Sequence, residues 1–322
     1  MKEINFKYLK RSRKSVLIEC DDIVRWKRQY LTYIKRYRSE GRPIYYLDET
    51  WLNEGHTKAK VWINTNIKNK NQALNEGLYT GLKSPSGKGK CLIILHAGCE
   101  QGFVKDTLLV FESKKTGDCH KDMNGTVFEQ WFSKFQKKLP NGAVIVMDNA
   151  SYHSRQIEKV PTTCSLKKDM QDWLRLKNIE FDMGMVRSEL IYIINQYKEK
   201  FNTYVTDEMA QQNNKVLLRL SPYHCELNPI ELVWAQVKNE VAAKNVTFKL
   251  KDVKELLMEA LDNVNNINWQ NCIYIYIYIY IYIYIYIYIF CFPQRYNFGI
   301  YMFVEFYTGG CNLDANHPSL PV

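Results

Sequence analysis

The sequence Ala143-Val-Ile-Val-Met-Asp-Asn-Ala-Ser-Tyr-His153 runs through five apolar residues to a single acid, Asp148. An unbroken apolar run of this length predicts a strand that is buried on both faces. A carboxylate that directly follows such a strand lies at the edge of the sheet, where a polar site can begin. Ordinary turn chemistry by Asp148 and Asn149 is the alternative interpretation. His153 either flanks such a site or caps the segment after the strand.

Two more acids stand in comparable settings. Asp48 lies in the apolar run Ile44-Tyr-Tyr-Leu-Asp-Glu-Thr-Trp51, and Glu231 opens an amphipathic helix in Ser221-Pro-Tyr-His-Cys-Glu-Leu-Asn-Pro-Ile-Glu-Leu-Val-Trp234. Carboxylates that converge over one sheet edge can hold hard divalent cations through oxygen. A pair of Mg²⁺ or Mn²⁺ ions about 3.5–4 Å apart suits in-line displacement at phosphorus. The sequence therefore predicts that Asp48, Asp148 and Glu231 are catalytic metal ligands.

Structural interpretations of these acids are also open. Asp48 is followed by Glu49, and the alternation of side chains along a strand sends the two to opposite faces, so only one can join the site. Asn228, Pro229 and Glu231 have the spacing of a helix N-cap, first position and third position. That capping arrangement would account for Glu231 without any catalytic role.

Three motifs carry a family resemblance: Leu-Asp-Glu-Thr-Trp, the apolar strand into Asp-Asn-Ala-x-x-His, and Ser-Pro-Tyr-x-x-Glu-Leu-Asn-Pro-Ile-Glu-x-x-Trp. Together they resemble the catalytic domain of DDE transposases of the mariner superfamily, over roughly Pro43 to Leu261. The resemblance implies an RNase H-like fold in which Asp48, Asp148 and Glu231 bind two Mg²⁺ (or Mn²⁺) ions, with no small-molecule cofactor. Water and then a DNA 3′-hydroxyl would attack phosphodiesters without a covalent enzyme intermediate.

The charge of the chain favours DNA as the partner. The formal net charge is +10, and residues 1–43 hold 13 Lys and Arg against 5 Asp and Glu, with aromatic residues between them. Such basic, aromatic segments suit polyanions, whereas a solvated helical face is the plain alternative. The basic residues of the N-terminal segment and of a glycine-containing loop are the candidate nucleic-acid contacts: Lys10, Arg11, Arg13, Lys14, Lys83, Lys88 and Lys90.

Cellular location follows from what the sequence lacks. Its N-terminus shows no apolar run typical of a signal peptide, and the nine cysteines are odd in number and scattered. This pattern predicts neither a disulfide framework nor a zinc site, and it indicates a reducing compartment. We expect a nuclear protein that binds DNA and no membrane, with a homodimer as an open alternative to a monomer.

Periodicity predicts a mixed α/β sheet flanked by helices. The chain is predicted to have three regions. Residues 1–42 are expected to be a basic helical linker, the remnant of an upstream recognition region. Residues 43–264 are the predicted DDE catalytic domain, and the long interval between Asp148 and Glu231 predicts a helical insertion over about 156–215. Within this domain, Thr126 and Glu129 have the spacing of a capping box at a helix start.

The remaining region, residues 265–322, is predicted to be a low-complexity tract and an unstructured tail. Ile273 to Ile289 is a perfect Ile-Tyr alternation. As a strand it would be apolar on both faces, which is the composition of an aggregation-prone cross-β segment. We expect a chain that ends near Asn271 to keep the stability of the catalytic domain.

The combined prediction is a transposase-derived DDE endonuclease that cleaves and transfers DNA strands, and that comes from a truncated element. Two other classes stay open: a catalytically inactive nucleic-acid-binding protein derived from a transposase, and a general nuclease of the same fold such as a ribonuclease H. Divalent-dependent nicking of plasmid DNA discriminates the first of these from an active enzyme.

Overall fold

A mixed β-sheet lies at the centre of the fold, as predicted. The structure, a computed structural model, describes residues 20–58, 87–113, 123–201 and 203–291. In these ranges the elements are α1 (Asp21–Ser39), β1 (Ile44–Asn53), β2 (Cys91–Cys99), β3 (Gly102–Phe103), β4 (Leu109–Glu112), α2 (Gly125–Gln136), β5 (Val144–Met147), α3 (Lys167–Leu176), α4 (Arg187–Phe201), α5 (Val205–Gln212), β6 (Val216–Arg219), α6 (Ile230–Lys244), α7 (Leu250–Asn263) and α8 (Asn266–Cys291).

The sheet combines an antiparallel and a parallel half. Its order is β3-β2-β1-β5-β6, and β4 also pairs with β2. β1 is antiparallel to β2 and parallel to β5, while β5 is parallel to β6. Every residue of β5 is buried, in agreement with its unbroken apolar sequence. β1 therefore lies between the two halves: its first three residues pair with β5, and the rest of the strand pairs with β2.

The helix after the loop at residue 123 covers one face of the sheet. α2 buries Phe128, Trp131, Phe132 and Phe135, one stripe at helical spacing, in the core cluster formed with β1, β2 and β5. The predicted capping box is wrong, because Asn124 is the N-cap and its side chain accepts a hydrogen bond from the Val127 amide. Asn is a strong N-cap residue, and it lies two positions before the threonine in that prediction.

α1 is part of the packed catalytic unit. Tyr30, Leu31, Ile34 and Tyr37 are buried on it. The Ser221 hydroxyl donates to the Ile23 carbonyl at 3.2 Å, which ties the first turn of α1 to the segment after β6. The described residues up to Tyr276 belong to one compact unit. Within the described residues 20–42, α1 therefore packs through Tyr30 and Tyr37, and the linker role of residues 1–42 stays a prediction.

The insertion between β5 and β6 is helical, as predicted, and has a small core of its own. α3 and α4 lie within it, and α5 leads back to β6. The buried apolar residues of this second cluster are Val160, Met170, Trp173, Leu174, Leu190 and Ile194. The apolar stripes of α3 and α4 therefore pack against each other, whereas α5 places Ala210 in the core cluster beneath the main sheet.

The Ile-Tyr alternation does not form a strand: Asn266–Cys291 is one α-helix, α8. Trp269, Cys272, Ile273 and Tyr276 are buried at the i, i+3, i+4, i+7 positions of one helical face. Trp269 and Cys272 precede the alternation and set this face, and the apolar repeat continues it. The prediction that a chain ending near Asn271 keeps its stability therefore conflicts with three buried residues beyond that point.

Two further features concern helix length and the cysteines. No helix within the described ranges is both long and apolar enough to span a bilayer. Cys91, at the start of β2, is disulfide-bonded, although the scatter of cysteines predicted no disulfide framework. The free thiols among the described cysteines are Cys20, Cys99, Cys164, Cys225 and Cys272.

The first turns of α8 give a direct stability prediction. Tyr276 is 1% exposed, its hydroxyl donates to the Tyr30 hydroxyl at 3.1 Å, and the Arg38 guanidinium lies 5.1 Å from its ring centre. Tyr276→Ala removes this packing and should lower the free energy of unfolding by about 3 kcal/mol in urea melts. Tyr278→Ala, two residues along in the same repeat but 72% exposed, is the matched control and should change it little. Equal effects would contradict the packing of α8.

His96 on β2 predicts a pH dependence of stability. Its side chain is buried, its ring stacks on Phe103 at 4.4 Å, and burial lowers its pKa to about 3. Below pH of about 6.5 the unfolded chain takes up a proton that the folded chain refuses, so stability falls as pH drops toward 3. From pH 6.5 to 5 this loss is about 1.6 kcal/mol. His96→Gln should abolish that part of the slope in denaturant melts; an unchanged slope would contradict it.

Candidate active site

The pairing of β1 with β5 brings the first two predicted acids to the same level of the sheet. The parallel register matches Tyr46 with Val146. Asp48 and Asp148 each lie two residues further along their own chains, and both are partly exposed. Since β1 continues through Asp48 whereas β5 ends at Met147, Asp148 stands at the strand end and Asp48 beside it. The two carboxylates thus occupy neighbouring positions at the sheet edge.

Glu231 lies in the first turn of α6, but the capping alternative for it is not realised. Helix α6 has Pro229 at its N-cap position and no capping hydrogen bond from a side chain. The Asn228 amide instead donates to the Leu47 carbonyl at 3.2 Å, the residue before Asp48. This bond ties the start of α6 to β1, and it leaves the exposed Glu231 free of a capping role.

The electrostatics connect the three acids. Burial first, and then the negative charge of Glu231, raise the pKa of Asp48 well above its usual value. The charges of Glu49 and Asp148 act on Asp48 in the same direction. Burial also raises the pKa of Glu231; of the two charges that act on it, Lys238 lowers this pKa and Asp148 raises it. The three carboxyl groups are therefore close enough to repel one another.

Asp148 is held in its ionised form by its neighbours. Burial works to raise its pKa, but the hydrogen bond and charge of His153, the Ala150 amide and the charge of Arg219 lower it below the usual value. His153 Nδ1 lies 2.6 Å from Asp148 Oδ1, and the Ala150 amide donates to the same oxygen at 3.0 Å. The environment thus lowers the pKa of Asp148, whereas the pKa of Asp48 is raised by burial and by the neighbouring acids.

His153 also contacts a fourth acid, Glu49, which lies beside Asp48 on β1. Its Nε2 lies 2.9 Å from Glu49 Oε1, and the side chains of Glu49 and His153 are 2% and 1% exposed. Burial opposes a charge on His153, but the two carboxylates raise its pKa to about 9. Both ring nitrogens then carry protons and donate. Alternation along β1 correctly separates Glu49 from Asp48, yet Glu49 reaches the site through His153.

A divalent metal fits these residues by donor type. Carboxylate oxygens are the ligands that Mg²⁺ and Mn²⁺ prefer, and a cation would relieve the repulsion among Asp48, Asp148 and Glu231. In the described part of the chain, no three His, Cys, Asp or Glu side chains are already grouped so that they could hold a metal ion. The charges of the predicted ligands therefore act on one another, but their side chains do not surround a common point.

The predicted nucleic-acid contacts fall into two sets. Lys10, Arg11, Arg13, Lys14 and Lys83 lie outside the described residues. Lys88 and Lys90 are exposed on a turn whose backbone is fixed: the Gly55 amide donates to the Lys88 carbonyl, and the Lys90 amide donates to Glu54 Oε2 at 3.0 Å. Gly89 between them has φ +67°, and a Cβ there would lie 2.3 Å from the same Glu54 oxygen. Only glycine suits this position.

Residues 112–256 match the family model of the DDE superfamily endonucleases. This range contains Asp148 and Glu231, whereas Asp48 precedes it and reaches the site through the β1–β5 pairing. No curated protein sequence is a significant match for the chain. The family match supports a DDE endonuclease domain over this range.

Solved structures with the same fold come from the Mos1 transposase. The chain is similar to the Mos1 paired-end complex with the left transposon end and to the Mos1 mariner paired-end complex with Mn, each with 13% identity and a TM-score of 0.50. Each alignment covers 85% of this chain and 64% of the Mos1 chain, so the chain spans less than two thirds of the length of that transposase. The likeness confirms the predicted RNase H-like fold, a mixed sheet flanked by helices.

Proposed function

This chain carries a DDE superfamily endonuclease domain in the fold of a mariner transposase, and from that premise we propose that it cleaves and transfers DNA strands at phosphodiester bonds. Asp48, Asp148 and Glu231 are the proposed ligands of two Mg²⁺ or Mn²⁺ ions. The presence of Mn in one of the similar Mos1 complexes supports this choice of metal.

The register between β1 and β5 is the observation that carries this proposal. It aligns Asp48, which lies outside the matched family range, with Asp148, which lies inside it. The charges of Glu231 and Asp148 raise the pKa of Asp48, and the charge of Asp148 raises that of Glu231, which supports a shared role for the three acids. A capping or turn role for each acid separately would not require this convergence.

Each residue of the site has a defined part in the proposed reaction. Bound divalent ions would stabilise the charge that develops on the attacking and leaving oxygens at phosphorus. Asp148 stays ionised because His153 and the Ala150 amide donate to it. Asp48 is partly exposed and Glu231 is exposed, so a phosphodiester can approach both. Lys238 adds a positive charge that acts on Glu231 and Asp48.

DNA is the proposed substrate, and the nucleus is the proposed location. The similar Mos1 structures are complexes with transposon ends or paired ends, which supports DNA binding by the shared fold. In this chain the net charge of +10 and the exposed Lys88 and Lys90 suit a polyanion. We extend the proposal to contacts between these two lysines and DNA phosphates.

The first test is Asp148→Asn. The amide loses the negative charge that the metal ions require, so Mg²⁺- or Mn²⁺-dependent nicking of plasmid DNA should become undetectable, while DNA affinity stays within about twofold. Asp262→Asn, at an exposed position on α7, is the matched control and should nick at the wild-type rate. Nicking by Asp148→Asn at the wild-type rate would refute the proposed role of Asp148 as a metal ligand. A wild-type protein that binds DNA and nicks none would favour the inactive, DNA-binding alternative.

The second test addresses the phosphate contacts. The double substitution Lys88→Gln and Lys90→Gln should reduce the slope of log K against log salt by about 0.9 for each lost contact. Replacing Lys251 and Lys254, two exposed lysines on α7, by Gln removes the same charge and should leave the slope within error. Fluorescence anisotropy of a labelled duplex at several salt concentrations measures both slopes. Equal slopes for the two double variants would show that the Lys88 turn does not contact DNA.

A further inference from the structure

Glu49 is a buried carboxylate that needs a partner. It neighbours Asp48 on β1, and its side chain is 2% exposed. A carboxylate removed from water is costly unless it is paired and hydrogen-bonded. One partner is His153, with Nε2 at 2.9 Å from Glu49 Oε1, and the Tyr152 hydroxyl is a second hydrogen-bond partner. Glu49 is thus fixed on the strand that also carries Asp48, and it fixes His153 in turn.

His153 is held from several sides. Its ring lies 4.1 Å from the Phe128 ring, centre to centre, on the helix that covers the sheet. Its carbonyl accepts hydrogen bonds from the Thr206 hydroxyl at 2.9 Å and from the Arg219 guanidinium at 3.2 Å. Backbone and ring are therefore both anchored, and the ring has no free rotation that would release either nitrogen.

The second ring nitrogen of His153 contacts one oxygen of the Asp148 carboxylate. His153 Nδ1 lies 2.6 Å from Oδ1, and the Ala150 amide donates to that same oxygen. Within the described residues, the second oxygen, Oδ2, accepts no hydrogen bond. Two donors on one oxygen fix the carboxylate plane and reserve the other oxygen for a further ligand.

We propose that Glu49 and His153 are positioning residues that hold Asp148 through Oδ1 and so present Oδ2 to a divalent metal ion. This inference rests on the proposed function, since it assumes that Asp148 is a metal ligand. Residues behind a metal ligand set its orientation, and their loss typically costs about 10–100-fold in metal affinity or activity. Neither Glu49 nor His153 needs to touch the metal or the DNA.

A purely structural role is the competing explanation. In that case Glu49 and His153 would only join the turn after β5 to β1, and their substitution would lower thermal stability without a specific effect on metal binding. The two explanations separate when metal affinity is measured on the folded protein without DNA, beside its thermal melt.

The experiment measures Mn²⁺ binding by titration calorimetry for Glu49→Gln, His153→Ala and the double variant. Each single substitution should weaken Mn²⁺ binding by about tenfold or more. The double variant should bind no more weakly than His153→Ala, because Glu49 acts only through His153. Glu129→Gln is the control. It weakens the ion pair with Arg155, which donates two hydrogen bonds of 2.6 Å to Glu129 and lies two residues after His153. This variant should bind Mn²⁺ as the wild type does.

His153→Gln guards against a failure of Glu49→Gln to fold. A glutamine amide can still donate to Asp148, so His153→Gln should bind Mn²⁺ more tightly than His153→Ala. Equal affinities of these two variants, or wild-type affinity in folded Glu49→Gln, would overturn the positioning role. Failure of the proposed function looks different: the wild type would bind no Mn²⁺, or Asp148→Asn would bind it as well as the wild type.

Discussion

Parallel pairing between β1 and β5 is the constraint on which the site depends. The two strands are far apart in sequence, and their register puts Tyr46 beside Val146. A shift of one residue would turn every side chain of a strand to the opposite face. Such a shift would move Asp48 away from Asp148 and bring Glu49 in its place. The register is secured because β5 is buried throughout and Leu47 of β1 lies in the same core.

The site contains four carboxyl groups. Two of them repel each other, and the other two are paired with His153. On one side, Asp48 and Glu231 repel each other, and burial raises the pKa of both. On the other side, His153 lies between Asp148 and Glu49 and offsets their charges. Neighbouring carboxylates thus have their pKa values moved in opposite directions, an arrangement typical of functional sites. Asp48 and Glu231 have no histidine between them, so a bound cation would stabilise this pair of carboxylates most.

The parts added to the sheet support this arrangement without replacing it. The insertion packs around its own small core, and its last helix, α5, contributes Thr206 to the anchoring of His153. Arg219 at the end of β6 contacts the same carbonyl and also Asp207. A long insertion between the second and third acids is therefore compatible with the site, because its ends return to the turn that follows β5.

The sequence by itself determined the elements whose pattern is local. The apolar run before Asp148, the helical stripe of α2 and the three motifs were enough to predict the mixed sheet, the helical insertion and the RNase H-like fold. The sequence also named Asp48, Asp148 and Glu231, since their motif order carries the resemblance. The inferences about the fold succeed because strand burial and helical periodicity are properties of neighbouring residues.

Only the tertiary structure decided the contacts between distant residues. It gave Glu49 a partner in His153, used Asn228 to hold the Leu47 carbonyl rather than to cap α6, and joined the aromatic face of α1 to the core. It also made the Ile-Tyr alternation helical, because Trp269 and Cys272 begin a buried face that the repeat continues. An alternation of two apolar residues satisfies a strand and a helix alike, so packing against the sheet, which lies far away in sequence, made the choice.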